Sequence, residues 1–413
     1  MRFYKLNYLV VIFTILISGS LYYSSLFKNA FFVPLFFFLA CNFLVSDQKL
    51  NKRKLFLLSL AFLLGISNLQ SVPSSLIVLF TCIACALVIT QMISFDDFSR
   101  CYIKIILFLS VVSWFYFPIV YFQIPSPLPD FISIVDTPYS NFALFGIYRA
   151  EMPAGFNDMY YVFRNSGLFW EPGAYQIFIN SAVYLAMVQN QLSKLKLIIF
   201  FITILTVGST TGFLVFAILA VVHFSRTRQN MTAKTNLIVL AFSIIACGIF
   251  VASGLLEKSI EKFHAGSSSN VSFIARSTDF LVDSSVLMDH FWRGVGYGNI
   301  SVREQYAIAD MGDTLYWSDA KPPGADGLLL FVSYLGFFGV VLIWRLIYPS
   351  QVQNWSLFEK GMVIVAMLMM YNNENMLMYL FPWVMTFYGF SVHSNPVKLN
   401  VIYDHKGLKA SAA

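Results

Sequence analysis

Apolar runs of about 20 residues recur from one end of the chain to the other, separated by short polar stretches. Runs of this length suit helices that cross a lipid bilayer, where every backbone N–H and C=O must bond within its own segment. They fall near 8–27, 30–46, 55–70, 74–93, 104–122, 174–190, 196–208, 211–224, 237–253, 327–347, 361–373 and 376–391. Four of these come from two longer runs, 196–224 and 361–391. Polar residues interrupt each run, Gly208-Ser-Thr-Thr211 and Asn372-Asn-Glu-Asn375, so each reads as two half-spans rather than one tilted helix.

Charge placement decides between the two options. With both runs split, Lys49, Lys52, Arg53, Lys54, Lys194, Lys196, Arg226, Arg228, Lys234, Lys398, Lys406 and Lys409 all lie on the side that holds both termini, which is then cytoplasmic. The expectation is therefore an all-α, polytopic integral membrane protein, a single domain over 1–413 with about 12 transmembrane helices, in the range of roughly 10–12. Composition agrees: 58% of residues are hydrophobic and 12% are charged, against roughly 25% charged in soluble domains. The Met-Arg-Phe-Tyr-Lys start precedes an apolar run with no small-x-small cleavage site, so it reads as an uncleaved first span. The net charge of +6 serves topology, and no nucleic-acid signature accompanies it. Cys82-x-x-Cys85 lacks a nearby Cys or His and reads as two small residues on one helix face.

Two long loops remain, both outside. One runs from Gln123 to Trp170 and merges into the next helix by residue 173 (123–173); the other covers 254–326. Loops of this length are usually functional or disordered. Both hold enough aromatic and aliphatic residues to be ordered, with short interfacial helices expected.

Chemistry concentrates in these loops. Arg164-Asn-Ser-Gly-Leu-Phe-Trp-Glu171-Pro-Gly places an arginine and a glutamate at the mouth of a helix. Pro172 suits a first helical turn, and the unpaired N–H groups there form an anion site. Arg164 can grip a phosphate, and Glu171 can accept a proton or orient the arginine; an Arg–Glu pair that merely caps the helix is equally compatible. In the second loop, Asp289-His-Phe-Trp-Arg-Gly-Val-Gly-Tyr-Gly-Asn299 sets His290 and Arg293 beside a Gly-rich turn that includes Gly296, a weak phosphate-cradle signal. Arg149, Arg276 and Arg303 add further candidate phosphate ligands. Asp326 opens the 327–347 span as a possible cap, and Trp170 suits stacking on a sugar ring. The polar 372–375 turn should face a cavity or another polar group.

The chain resembles the bacterial O-antigen polymerase family (Wzy-type), within the wider O-antigen ligase-like membrane superfamily. The likeness rests on Arg164-x-x-Gly167-x-x-x-Glu171-Pro-Gly, on the helix pair broken by Gly208-Ser-Thr-Thr-Gly212, on Gly294-x-Gly296-x-Gly-Asn299, and on Asp326-Gly-x8-Gly336-x-x-Gly339. It spans roughly 160–390. Ligases carry Ser-Arg at the break and a His at the mouth of the late helix, where this chain has Ser209-Thr210 and Ala325-Asp326, which favours polymerase. The resemblance implies a GT-C-like glycosyltransferase of the inner membrane with two periplasmic loops. It would join undecaprenyl-pyrophosphate-linked oligosaccharide repeat units during lipopolysaccharide biosynthesis, without a cofactor or metal. The implied partners are that lipid-linked oligosaccharide, membrane lipid and a chain-length regulator. The implied catalytic residues are Arg164, Glu171, Arg293 and His290. An O-antigen ligase or another surface-polysaccharide polymerase is the near alternative. A lipid-linked oligosaccharide flippase is the alternative of another class; it would need ionisable residues deep in the spans, which are almost free of them.

Overall fold

The computed structural model describes residues 2–20, 74–121, 139–142, 145–154, 158–227, 268–296, 302–303, 305–306, 327–352, 354–372, 374 and 376–390. The expected spans at 30–46, 55–70 and 237–253, and Asp326, lie outside the described residues. The described chain is mostly helical. Among the described residues, two helices are long and apolar enough to cross a membrane, Phe95–Pro118 with 24 residues and Thr210–Thr227 with 18.

In chain order the helices are α1 (Arg2–Ile17), α2 (Ser74–Met92), α3 (Phe95–Tyr121), α4 (Pro172–Val188), α5 (Lys194–Val207), α6 (Thr210–Thr227), α7 (Ser268–His290), α8 (Gly327–Leu335), α9 (Phe337–Ile347), α10 (Leu357–Asn372) and α11 (Leu380–Phe390). Helix α4 is central: every residue from Pro172 to Met187 is buried. Most of its residues are apolar and need cover, and the polar Asn180 donates to Gln176 Oε1 and the Gly212 carbonyl, both at 3.0 Å. Antiparallel to it runs α3, tied by Tyr102 Oη donating to the Phe178 carbonyl (3.1 Å) at one level and Gln189 Nε2 donating to Asp96 Oδ1 (2.9 Å) at its far end. Aromatic rings knit the centre: Tyr102 stacks on Phe381 at 4.8 Å, Phe178 on Phe169 at 4.2 Å, and Phe178 meets Phe381 at 5.3 Å. The buried Cys82 and Cys85 fill the α2 side of this core.

Both helix breaks anticipated from the polar interruptions are present. Helix α5 stops at Gly208, whose φ of 62° is left-handed, a conformation glycine enters without steric cost. Ser209 then starts α6, its hydroxyl accepting the Gly212 N–H at 3.1 Å. Helix α10 stops at Asn372, and a single 3-10 turn (Met376–Met378) leads into α11.

Three departures from expectation stand out. The 327–347 run is not one helix, because it breaks at Gly336 (φ 59°) into α8 and α9. Helix α1 ends at Ile17 rather than near 27, turns at Gly19, and Ser20 pairs with Phe169 in an isolated antiparallel bridge. Among its described residues, the first long loop holds strands where interfacial helices were expected. Strands β1 (Tyr139–Phe142), β2 (Phe145–Ala154) and β3 (Asp158–Asn165) form an antiparallel sheet in the order β1-β2-β3. The aromatic and β-branched residues of Tyr160-Tyr-Val-Phe163 favour this extended form over a helix. Pro153 fits because β1 covers only Phe145–Tyr148 of β2, leaving the proline on an edge.

Candidate active site: two centres joined by one short helix

The first centre is built on the strap from Arg164 to Glu171. Asn165 anchors it: its Nδ2 donates to Ser113 Oγ on α3 and to Thr206 Oγ1 on α5, both at 3.0 Å, while its Oδ1 accepts the Gly167 N–H at 3.0 Å. Gly167 has φ 57° and lies against the Tyr175 ring, so this position needs glycine twice over. A turn follows, with Phe169 N–H donating to the Ser166 carbonyl at 2.9 Å. The Trp170 N–H then donates to the Gly19 carbonyl at 3.1 Å, fastening the strap to the end of α1.

Around this strap the charged groups take defined positions. Arg164 Nε donates to the carbonyl of Val207 at 3.1 Å, at the end of α5, where carbonyls lack intrahelical partners and a cation is favoured. The Trp170 indole N–H donates to Glu171 Oε1 at 2.8 Å, and its ring lies 4.8 Å from that of Tyr379. Glu171 is the N-cap of α4 but its side chain makes no cap hydrogen bond, so the carboxylate is not consumed by the helix. Glu374, from the turn after α10, lies directly against Gly173. Gly327, first residue of α8, sits beneath the backbone of the same turn: a Cβ there would stand 2.8 Å from the Tyr371 carbonyl oxygen. Two helix N-termini, those of α4 and α8, thus converge on one polar turn, and both favour an anion.

The second centre lies at the other end of α8. The chain leaves α7 at His290 and inserts its next residues into the α8–α9 break. Val295 N–H donates to the Ser333 carbonyl and Gly296 N–H to the Tyr334 carbonyl, both at 3.0 Å, and Phe337 N–H donates to the Phe291 carbonyl at 2.6 Å. Gly294 (φ 67°) and Gly336 face each other so closely that a Cβ on Gly336 would lie 2.5 Å from the Gly294 nitrogen. His290 and Arg293 are exposed beside this junction. Tyr306 Oη donates to Asp289 Oδ2 at 2.6 Å and lies 3.4 Å from His290 Nε2.

Arg303 is buried between two aspartates of α7, bonding Asp283 Oδ1 through Nε at 2.8 Å and Asp279 through Nη2. Ser333 of α8 adds a hydroxyl to Asp283 at 3.4 Å. Burial pushes the Asp283 carboxyl above its usual range, against the opposing pull of Arg303. Burial also opposes the Arg303 charge, but its bonds to Asp283 and Asp279 outweigh that and hold the cation more firmly. One cation serving two carboxylates accounts for both directions.

The expected site residues therefore divide. Arg164, Trp170 and Glu171 share the first centre, although Glu171 turns to Trp170 rather than to Arg164. His290 and Arg293 share the second. Helix α8 separates them by nine residues, about 13 Å at 1.5 Å per residue. Two others are engaged within the fold. Arg303, read as a substrate ligand, spends its donors on buried carboxylates. Gly296, read as part of a phosphate cradle, gives its N–H to the Tyr334 carbonyl, as Val295 and Gly294 give theirs to Ser333 and His290. Arg149 is placed on β2 opposite Phe163, and Arg276 lies on α7. Sequence reasoning marked the 372–375 turn as polar but did not connect Glu374 to α4. Tyr379 and Tyr306 carry no motif, and Asp289 entered only as the first residue of the Gly-rich stretch.

No curated protein matches the chain. A protein-family model does, over residues 131–378, more than half of its 413 residues, and that stretch contains Arg164, Glu171, His290 and Arg293. The chain belongs to the WcaD colanic acid polymerase family, a Wzy-type family of polysaccharide polymerases.

Proposed function

We propose that this protein is a glycosyltransferase that polymerises lipid-linked oligosaccharide repeat units of a surface polysaccharide at the periplasmic face of the inner membrane. Such a reaction consumes two molecules of undecaprenyl-pyrophosphate-linked sugar. The growing glycan leaves its pyrophosphate and joins a hydroxyl at the non-reducing end of a new repeat unit. Each substrate brings its own pyrophosphate, and the two centres each offer an exposed or half-exposed arginine, Arg164 and Arg293. The observation that carries this reading is that two segments each bear an arginine and an aromatic pair: the strap of Arg164, whose Trp170 ring lies against Tyr379, and the turn of Arg293, whose preceding Trp292 ring lies against Phe337.

In this scheme the acceptor's pyrophosphate sits near Arg164 and the N-termini of α4 and α8, which supply N–H donors and dipole charge. Its sugars lie over Trp170 and Tyr379, with Glu171 accepting a sugar hydroxyl. The donor's pyrophosphate sits at Arg293, which stabilises the negative charge that develops as the glycosyl bond breaks. Preorganised cations can serve a pyrophosphate leaving group directly, so the scheme assigns that role to the arginines.

The family description names colanic acid, whereas the sequence motifs resemble O-antigen polymerases; the chemistry of the two is shared. The test is to delete the gene in its host and analyse both the lipopolysaccharide and the lipid-linked intermediates. Loss of the polymer with accumulation of single lipid-linked repeat units supports the proposal. Free lipid-linked polymer would identify a ligase instead, and unchanged polymer would refute both.

A further inference from the structure

The second centre contains a hydrogen-bonded chain that the reading above does not use. Arg303 and Tyr306 both meet α7, in the same order along it. Arg303 bonds Asp279 and Asp283, one turn apart on α7, and Tyr306 reaches Asp289 and His290 nearly two turns further on. The buried ion cluster therefore fixes the segment that presents Tyr306.

The proton inventory of this chain assigns the histidine tautomer. Tyr306 has one hydroxyl proton. An ionised carboxylate only accepts, so the 2.6 Å contact directs that proton to Asp289 Oδ2. The Tyr306 oxygen then meets His290 Nε2, 3.4 Å away, with a lone pair. Nε2 must carry the hydrogen at that contact, which leaves Nδ1 of the neutral ring as its basic nitrogen. The ring nitrogen that carries the proton is set by the bond its other nitrogen makes. His290 stands three residues before Arg293, on the exposed side of the junction.

We infer that Asp289 and Tyr306 are positioning residues that hold His290 as a general base with Nδ1 facing the acceptor hydroxyl. The inference rests on the polymerase reading. In the step it describes, a new bond forms between the acceptor oxygen and the donor's anomeric carbon. The bond from that carbon to the pyrophosphate oxygen breaks, and its electron pair leaves on the pyrophosphate beside Arg293. The hydroxyl proton passes to His290 Nδ1 and then to solvent.

The experiment uses the full-length protein in lipid nanodiscs supplied with lipid-linked repeat units isolated from the polymerase-deficient host. His290→Gln should lower kcat on the order of 100-fold, the lower end for loss of a general base. Tyr306→Phe should lower kcat by roughly tenfold with KM unchanged, as for loss of a group that orients a reacting imidazole. Adding it to His290→Gln should cost nothing further. In parallel, nitrogen-15 spectra of histidine-labelled protein, with His290 identified by its loss in His290→Gln, should show the Nε2–H tautomer in the wild type and a mixture in Tyr306→Phe. Wild-type kcat in Tyr306→Phe, or an Nδ1–H tautomer in the wild type, overturns the inference. A wild-type protein that joins no repeat units overturns the polymerase reading instead, and the spectra still decide the tautomer.

Discussion

Gly173 and Glu374 are in direct contact, so that the first turn of α4 and the turn after α10 meet with no room for a methyl group between them. Gly173→Ala is therefore expected to push the Glu374 carboxylate aside and, because that is the end of a flexible side chain, to cost about 1 kcal/mol or less, the low end of overpacking. Thermal unfolding of the purified protein in detergent measures it. Removing the obstruction with Glu374→Ala should recover part of the loss in the double variant. Equal stability of Gly173→Ala and wild type would mean the two turns are not held together.

Arg164 should be needed for polymer formation rather than for folding. Its stem crosses Gly208 and its Nε bonds the Val207 carbonyl, while its half-exposed position leaves the side chain accessible to substrate. Arg164→Ala is expected to accumulate single lipid-linked repeat units at normal protein abundance. Arg164→Lys should restore little, because an ammonium does not reproduce the planar fork of donors. Intermediate analysis in a deletion strain carrying each variant checks this, with membrane abundance followed by immunoblot.

Trp170 performs two tasks that a single substitution separates. Trp170→Phe keeps a ring against Tyr379 but removes the N–H that holds Glu171. The expected result is a drop in kcat with little change in KM for the lipid-linked substrate. Trp170→Ala, which also removes the stacking surface, should raise KM as well. Steady-state polymerisation in nanodiscs distinguishes the two, and identical kinetics for both variants would contradict the division.

The ion cluster around Arg303 makes opposite predictions for its two kinds of member. Arg303→Met leaves Asp279 and Asp283 buried without their cation, and removal of one partner from a buried pair costs about 3–5 kcal/mol. Asp283→Asn should cost far less at neutral pH. Burial raises the Asp283 carboxyl, so the folded protein keeps that proton at pH values where the unfolded chain has released it. This group therefore favours folding on the acid side, and its contribution falls as pH rises from the ordinary value of 3.8 through the higher folded value. Unfolding in mildly acidic and neutral buffers should show that dependence shrink in Asp283→Asn.

Much of the helical order was legible because long apolar runs and their polar interruptions have direct physical meaning. Gly208-Ser209 reads as a helix stop followed by a start, and that is what the chain forms. Arg164 and Glu171 were legible as charges where a helix begins. What stayed hidden depends on contacts distant in sequence. Gly336 lies inside an unbroken apolar run, and it becomes a break only because residues 291–296 enter beside it. Arg303 looked like one more outward cation, since nothing local shows that Asp279 and Asp283 close over it. The strands were obscured because β2 carries a proline and charged residues that weaken its alternation.

The facing glycines at 294 and 336 carry a consequence for anyone diversifying this protein. A Cβ on Gly294 would meet the backbone of Tyr334 and Gly336, and one on Gly336 the backbone of Gly294, Phe291 and Arg293, so a library randomising either position would return mostly non-functional members. Because they join the His290 turn to the helix that reaches the first centre, grafting either segment from a relative should succeed only when both travel together. The exchangeable unit of this enzyme is the pair of segments, far apart in sequence, rather than the loop that bears the charged residues.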